Sequence, residues 1–237
     1  MSVDRVYEVY RTAGFGDTDR AAVGEAYGEY LPYLPADLGA RLLDLGCGGG
    51  EFLDFLREHG FSRAEGIDRS REQVTRCHDR GLAHVEHVAD TPEFLNARPR
   101  TFNAIILNDV LEHVPKAQIV PLLQTIRNSL VEGGSALIKV PNSANLFGLV
   151  ARYLDFTHEV GFTEHSLRQV LIAAGFETPS IRGISVRFRL RPKRLVYWSM
   201  NRMYTLAHRA AYVAAVGTDA PHILDKLLLA AAVRRSS

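Results

Sequence analysis

The chain has 237 residues, 46% of them hydrophobic and 23% charged, with a formal net charge of +1. These values suit one globular domain with room for a modest insertion, and they exclude strong whole-molecule attraction to nucleic acid or an acidic surface. Two cysteines cannot build a disulfide framework, so a reducing cytoplasm is the expected setting. The N-terminus is charged and mixed, without a signal-peptide core, and no apolar run reaches membrane-spanning length.

In chain order, residues 21–34 carry Tyr27, Tyr30 and Tyr33 and run into Pro32 and Pro35, which predicts one or two helices stopping before the core. Leu42, Leu43 and Leu45 read as a strand buried on both faces. It breaks into glycines and then an amphipathic helix over 52–59, with Phe52, Phe55 and Leu56 on one face and Gly60 as its stop. Residues 63–68 read as a second strand ending in Asp68, and Ser70 opens a helix with a capping box to Gln73. Residues 83–89 alternate as a third strand ending at Asp90, where Asp90-Thr91-Pro92 is also good turn chemistry. Residues 102–108 form a fourth, buried strand. A helix over about 116–130 follows, stopped at Gly133 and Gly134, and then a fifth strand over 135–140. Five strands alternating with helices predict a parallel sheet with right-handed crossovers.

The last third departs from this alternation. A polar loop over 155–159 precedes a helix over 164–174, ended by Gly175, and 176–188 read as a sixth strand. No acid occurs from Thr178 to Thr218, a stretch that holds Arg182, Arg187, Arg189, Arg191, Lys193, Arg194, Arg202 and Arg209. Helical spacing over 194–211 sets Val196, Met200, Met203 and Ala207 against Arg194, Asn201, Arg202, Thr205 and Arg209. Residues 223–233 supply a closing seventh strand.

The most informative stretch is the glycine turn. Gly46, Gly48 and Gly50 are spaced G-x-G-x-G, whereas a pyrophosphate site wants G-x-G-x-x-G; the third glycine's place is taken by Glu51, whose charge opposes a phosphate at a helix start. With Asp44 two residues before the first glycine, a zwitterion with a sulfonium centre and a free amine suits the turn better than a diphosphate. A dinucleotide, or a turn with no ligand, stays open at this point. Asp44-Leu-Gly-Cys-Gly-Gly-Gly resembles the first motif of class I S-adenosylmethionine-dependent methyltransferases.

The resemblance covers roughly residues 38–188 and the closing strand. It implies an α/β, Rossmann-like, seven-stranded, mostly parallel sheet with an antiparallel last strand and helices on both faces. It implies S-adenosyl-L-methionine as cofactor and S-adenosyl-L-homocysteine as product. Residues 1–40 would be a helical cap over the site, and 41–237 the methyltransferase domain, with a basic helical insertion at about 189–217 between the last two strands. The cofactor-binding candidates are Asp44, Gly46, Cys47 and Gly48 in the turn, with Asp68 and Arg69 at the end of the second strand. An acid at the Asp68 position faces the crevice, where its two oxygens can accept both ribose hydroxyls. In the family an acid placed like Asp90 hydrogen-bonds the adenine amino group. The segment from Asn108 and Asp109 through Glu112 and His113 to Pro115 resembles the family's fourth motif, where the methyl group would face the acceptor.

Methyl transfer from a sulfonium is an in-line displacement, so alignment is the protein's main task, and a hydroxyl acceptor must also lose a proton. His158, between Asp155 and Glu159, is the first candidate for that proton, and His113 the second. The 155–159 segment, with the residues from Phe162 to Leu167, resembles bacterial methyltransferases acting on sugars and natural products. His84, His87, His165, His208 and His222 read as structural. Without paired aspartates or an i,i+4 histidine pair, no metal is expected. The expected activity is O-methylation of a hydroxyl on a sugar, a glycan end or a related small metabolite, an anionic one if the basic segment meets it. The alternatives are a quinone-type ring O-methyltransferase that docks on membranes through the basic helix 191–211, and a non-catalytic cofactor-binding protein. Lacking an aromatic stacking platform, the chain is not expected to bind nucleic acid.

Overall fold

Seven strands form one sheet in the order β3-β2-β1-β4-β5-β7-β6 in the computed structural model, which describes residues 27–184 and 191–235. The strands are β1 (Leu42–Leu45), β2 (Ala64–Asp68), β3 (Val85–His87), β4 (Phe102–Asn108), β5 (Leu130–Pro141), β6 (Ser180–Ile184) and β7 (Leu227–Val233). The helices between them are α1 (Glu51–Glu58), α2 (Arg71–Asp79), α3 (Thr91–Asn96), α4 (Lys116–Ser129), α5 (Gly148–Leu154), α6 (Glu164–Ala173) and α7 (Arg191–Val216). β1 to β5 pair in parallel, and β7 runs antiparallel to both β5 and β6.

The apolar runs of β1 and β4 follow from burial on both faces. Leu43, Leu45, Ile105 and Leu107 join one core with Leu123 and Ile126 of α4 and Leu167 and Leu171 of α6. Leu42, Ala104 and Ile106 point the other way, into a core with Phe52, Phe55 and Leu56 of α1. Alternate residues of each strand thus meet different helices, so the runs are apolar apart from Asp44 in β1 and Asn103 and Asn108 in β4. The carboxyl ends of β1, β2 and β4 then lie side by side, where the doubly wound fold places its crevice.

Several boundaries differ from the sequence reading. α4 ends at Ser129 because Leu130 is already extended and pairs with Phe102, so β5 begins before Gly133 and Gly134 rather than after them. Gly134 sits where the register shifts; a Cβ there would meet the carbonyl oxygens of Val131, Asn103 and Phe102 at 2.9–3.2 Å. β3 shortens to Val85–His87. β7 starts at Leu227, because the carbonyls of Ile223, Leu224 and Asp225 accept from the side-chain amides of Asn142 and Asn145 instead of from a strand. Arg187, Phe188 and Arg189 lie outside the described residues, as do residues 1–26 of the expected cap.

Two peripheral elements matter for the site. The described part of the N-terminal segment is a short 3-10 turn, Gly28–Tyr33, and Tyr27 and Tyr30 pack against Phe52 with ring centroids 4.8 and 5.0 Å away. The expected basic helix forms, but its apolar face does not pack on its own domain. Val196, Met200 and Met203 are exposed, as are Leu195, Trp198 and Leu206, while Asn201, Tyr204, Thr205 and His208 turn inward. The Leu146 amide donates to the Tyr204 hydroxyl at 3.0 Å, and Arg209 donates to the His222 carbonyl. No helix among the described residues is long and apolar enough to cross a membrane.

Candidate active site

The glycine turn leaves β1 and is tied to β2 by hydrogen bonds from the Gly46 and Cys47 amides to the Ile67 carbonyl, at 2.8 and 3.1 Å. Gly46 has φ +74°, and a Cβ there would stand 2.6 Å from Val110 Cγ2. The segment after β4 therefore seats directly on the turn, which only glycine allows. Cys47 sends its thiol into the core beside Cys77 and Leu53, and its carbonyl accepts from Gly50. It shapes the turn from within. Glu51 does not project toward the crevice as a free charge; Arg80, at the end of α2, pairs with it at 3.4 Å and also with Asp54.

Asp68 binds both sides of the crevice edge. Its Oδ2 accepts from the Gly48 amide and its Oδ1 from the Ser70 amide, each at 2.8 Å. Ser70 Oγ accepts from the Gln73 amide at 3.4 Å, but Asp68 has replaced Gln73 as partner of the Ser70 amide. The capping box is therefore half formed, and Gln73 Oε1 is buried without a partner among the described residues. Each oxygen of Asp68 keeps acceptor capacity beyond its one bond. Arg69 is exposed, and its carbonyl meets the His87 ring at 3.1 Å. Asp90, also exposed, caps α3 through Oδ1 to the Glu93 amide at 2.9 Å.

Asp44 lies at the centre of the crevice floor. It is 2% exposed, and its Oδ1 has no hydrogen-bond partner among the described residues. Burial first, and then the neighbouring charge of Asp68, push its carboxyl up to about 8. Across from it, Asn108 Oδ1 accepts from the Tyr30 hydroxyl, and Asn108 Nδ2 is buried without a partner. Asp109, at φ +55°, pairs with Lys139 at 2.7 Å. A buried acid and a buried donor, each with an atom unpaired among the described residues and both on strands that end at the glycine turn's crevice, fit a ligand carrying both a cation and an acceptor group. S-adenosylmethionine has that donor set.

The next turn of chain gathers the histidines. The Glu112 carbonyl accepts from the Glu159 and Val160 amides at 2.7 and 3.1 Å, which pins the 155–160 loop to the segment after β4. His113 and His158 meet with ring centroids 4.7 Å apart, both half-buried. Burial, then the neighbouring His158, lower the His113 pKa. The first and second histidine candidates named from sequence are thus neighbours in space. Glu112, absent from the sequence candidates, is their third neighbour: one ligand atom from each of the three lies within 4.8 Å of the others. The tertiary fold buries it. Tyr30 was likewise legible as an N-terminal aromatic but not as the partner of Asn108.

Residues 19–181 match the family described as a methyltransferase domain. A ubiquinone biosynthesis O-methyltransferase of Neisseria meningitidis is 34% identical over 86 residues, covering 34% of this chain and 36% of that protein. The human mitochondrial enzyme of the same name is 31% identical over 118 residues, 46% of this chain and 31% of that one. The chain thus spans about a third of the length of these curated relatives. In fold it is similar to a SAM-dependent methyltransferase of Archaeoglobus fulgidus, with TM-score 0.70 and 21% identity over 96% of this chain and 99% of the other. With residues 19–181 matched, the chain belongs to the methyltransferase-domain family, and its fold is that of class I, S-adenosylmethionine-dependent methyltransferases.

Proposed function

We propose that the chain methylates a hydroxyl oxygen, with His158 and His113 together managing the acceptor's proton. The observation that carries this reading is the meeting of the two imidazoles beside the segment that starts at Asn108. In this reading Asp68 accepts the ribose hydroxyls, the Gly46–Gly48 turn lets the cofactor approach the backbone, Asp44 opposes its cationic end, and Asn108 donates to it through Nδ2. The free oxygen of Asp90 reaches the adenine amino group, Arg69 borders that edge, and Asp109 with Lys139 fixes the backbone next to the acceptor. Bound S-adenosylmethionine supplies an electrophilic methyl carbon and a leaving group that departs as a neutral thioether. His158→Ala is expected to lower turnover at least roughly 100-fold, the scale of general-base catalysis, with cofactor affinity unchanged. Full activity of that variant from about pH 6 to about pH 9 would remove the histidine from the mechanism.

The acceptor is either a sugar or glycan-end hydroxyl or a ring hydroxyl on a lipophilic molecule. A specific observation favours the second. α5 leans on the site, its Ala151 carbonyl meeting His158 Nδ1 at 3.1 Å, and α5 and α7 together expose Phe147, Leu149, Tyr153, Trp198 and Met203. Exposed apolar residues of that number, those of α7 on an acid-free basic stretch, suit an acceptor collected at an anionic membrane surface. The names of the curated relatives point in the same direction. Co-sedimentation with anionic vesicles is expected for the wild type and is expected to fall sharply in Trp198→Ser/Met203→Ser. If the wild type stays in the supernatant and labelled methyl groups enter the glycan fraction of an extract, the sugar acceptor takes its place.

A further inference from the structure

On the face of the sheet that carries Leu42, Ala104 and Ile106, the core changes from apolar to polar at the carboxyl ends of the strands. Side chains alternate along a strand, so on that face Asp44 follows Leu42 and Asn108 follows Ile106. Tyr30 lies across the change. It is fully buried, its ring joins the core of Phe52, Ile106 and Leu229, and its hydroxyl reaches Asn108. The bond joins residues 78 positions apart, one in the N-terminal turn Gly28–Tyr33 and one at the end of β4.

The chemistry of the two groups sets its direction. Burial first, and then the charge of Asp109, hold the Tyr30 hydroxyl well above its ordinary pKa, so it keeps its proton and donates, and Asn108 Oδ1 accepts. An amide is planar, with its oxygen and nitrogen on opposite sides, so a bond that takes Oδ1 aims Nδ2 the other way. Nδ2 is buried, and no described residue accepts from it. The amide is thereby held with its donor unused. Without the hydroxyl, it would be free to rotate and to face the crevice with either atom.

A second contact holds Tyr30 where it is. Glu29, the residue before it, pairs with Arg182 of β6 at 2.8 Å, and Arg182 also donates to the Glu29 carbonyl. The same guanidinium stands over the Tyr33 ring, 5.1 Å from its centroid. β6 is the edge strand, two strands beyond β5. The turn is therefore fastened to the edge of the sheet on one side and to the end of β4 on the other.

We propose that Tyr30 is a positioning residue for the cofactor's amino-acid end: its hydroxyl holds the Asn108 amide with Nδ2 toward the crevice, and Arg182 holds Tyr30 through Glu29. The donor so presented matches a carboxylate, which S-adenosylmethionine carries at that end, while Asp44 on the same face matches its cations. The inference rests on the reading that Asn108 donates to the cofactor through Nδ2, and it deepens that reading. The orientation that lets Asn108 donate comes from the N-terminal turn rather than from β4.

The test is calorimetric titration of the full-length protein with S-adenosylhomocysteine and with 5′-methylthioadenosine, which keeps the nucleoside and the sulfur but lacks the amino and carboxylate groups. Tyr30→Phe keeps the ring and loses the hydroxyl. It is expected to weaken S-adenosylhomocysteine binding at least about 5-fold, the scale of one hydrogen bond, and to leave 5′-methylthioadenosine binding unchanged. Arg182→Gln is expected to act in the same direction, again on the first ligand alone. In Asn108→Ala, adding Tyr30→Phe is expected to cost no further affinity, because the hydroxyl acts through the amide. Melting curves of all variants should stay cooperative, and Arg182→Gln, at the sheet edge, carries the same ligand comparison if Tyr30→Phe folds poorly. Wild-type affinity in Tyr30→Phe, equal weakening of both ligands, or a further loss on top of Asn108→Ala overturns the inference. The Asn108 reading then still stands if Asn108→Ala by itself weakens S-adenosylhomocysteine and spares 5′-methylthioadenosine. Wild-type binding of both ligands by Asn108→Ala would overturn that reading, and the inference with it.

Discussion

Asp68→Ala is expected to weaken S-adenosylmethionine binding by about 10- to 150-fold, the equivalent of one set of charge-assisted hydrogen bonds worth roughly 1.5–3 kcal/mol. The upper end is favoured because Asp68 has a second task. Its two oxygens hold the Gly48 and Ser70 amides, so the alanine variant loses both the proposed ribose acceptor and the strap that keeps the glycine turn against β2. Asp68→Asn separates the two losses: its one carbonyl oxygen can keep one strap, but its amide group cannot accept. Calorimetric titration of wild type, Asp68→Ala and Asp68→Asn with S-adenosylmethionine and S-adenosylhomocysteine should rank them in the order wild type, asparagine, alanine. Equal affinities for all three would remove Asp68 from the cofactor site.

Asp44→Asn is expected to stabilise the cofactor-free protein and cripple it at once. The Asp44 carboxyl ionises at an ordinary 3.8 in the unfolded chain, but burial and Asp68 hold it protonated up to about 8 in the folded one. Between those values the native state carries the extra proton, so stability falls as pH rises through the window and levels off above it. The asparagine variant has no such group. Its melting temperature should match the wild type near pH 4 and exceed it increasingly toward pH 8, by an amount of order a few kcal/mol in stability. Taking the wild-type minus variant difference cancels contributions from Glu112 and other acids. In the same variant the cofactor's cation loses its counter-charge, so binding should drop, and wild-type binding should release protons at neutral pH. A difference that stays flat from pH 4 to 8 would mean that Asp44 is ionised in the free protein. The pairing of a costly buried acid with a cationic ligand is a familiar stability–function trade.

The strands and the glycine turn were legible because their signals are local. Leu42, Leu43 and Leu45 are apolar at every position since helices cover both faces of β1, and three glycines within five residues announce a backbone that must turn and admit a ligand. The place of Asp68 at the end of β2 was legible for the same reason, but its bonds to the Gly48 and Ser70 amides were not. Boundaries were less so. Gly133 and Gly134 look like a helix stop in sequence, yet the hydrogen-bond register with β4 draws them into β5. Glu51, read as opposing a phosphate at the helix start, is paired with Arg80 at the end of α2.

What the sequence by itself determined was the fold class and the glycine turn that points to a cofactor, because periodicity, turn chemistry and a compact motif are written in neighbouring residues. What only the tertiary structure decided was which of those residues meet. Two amides hydrogen-bonded to the Glu112 carbonyl carry His158 to His113, the Glu112 carboxyl group is buried without a hydrogen-bond partner among the described residues, and α7 turns its polar side inward and its apolar side to solvent. Each is a contact between segments far apart along the chain, and its energy depends on burial and packing, which the order of residues specifies only once the whole chain has folded.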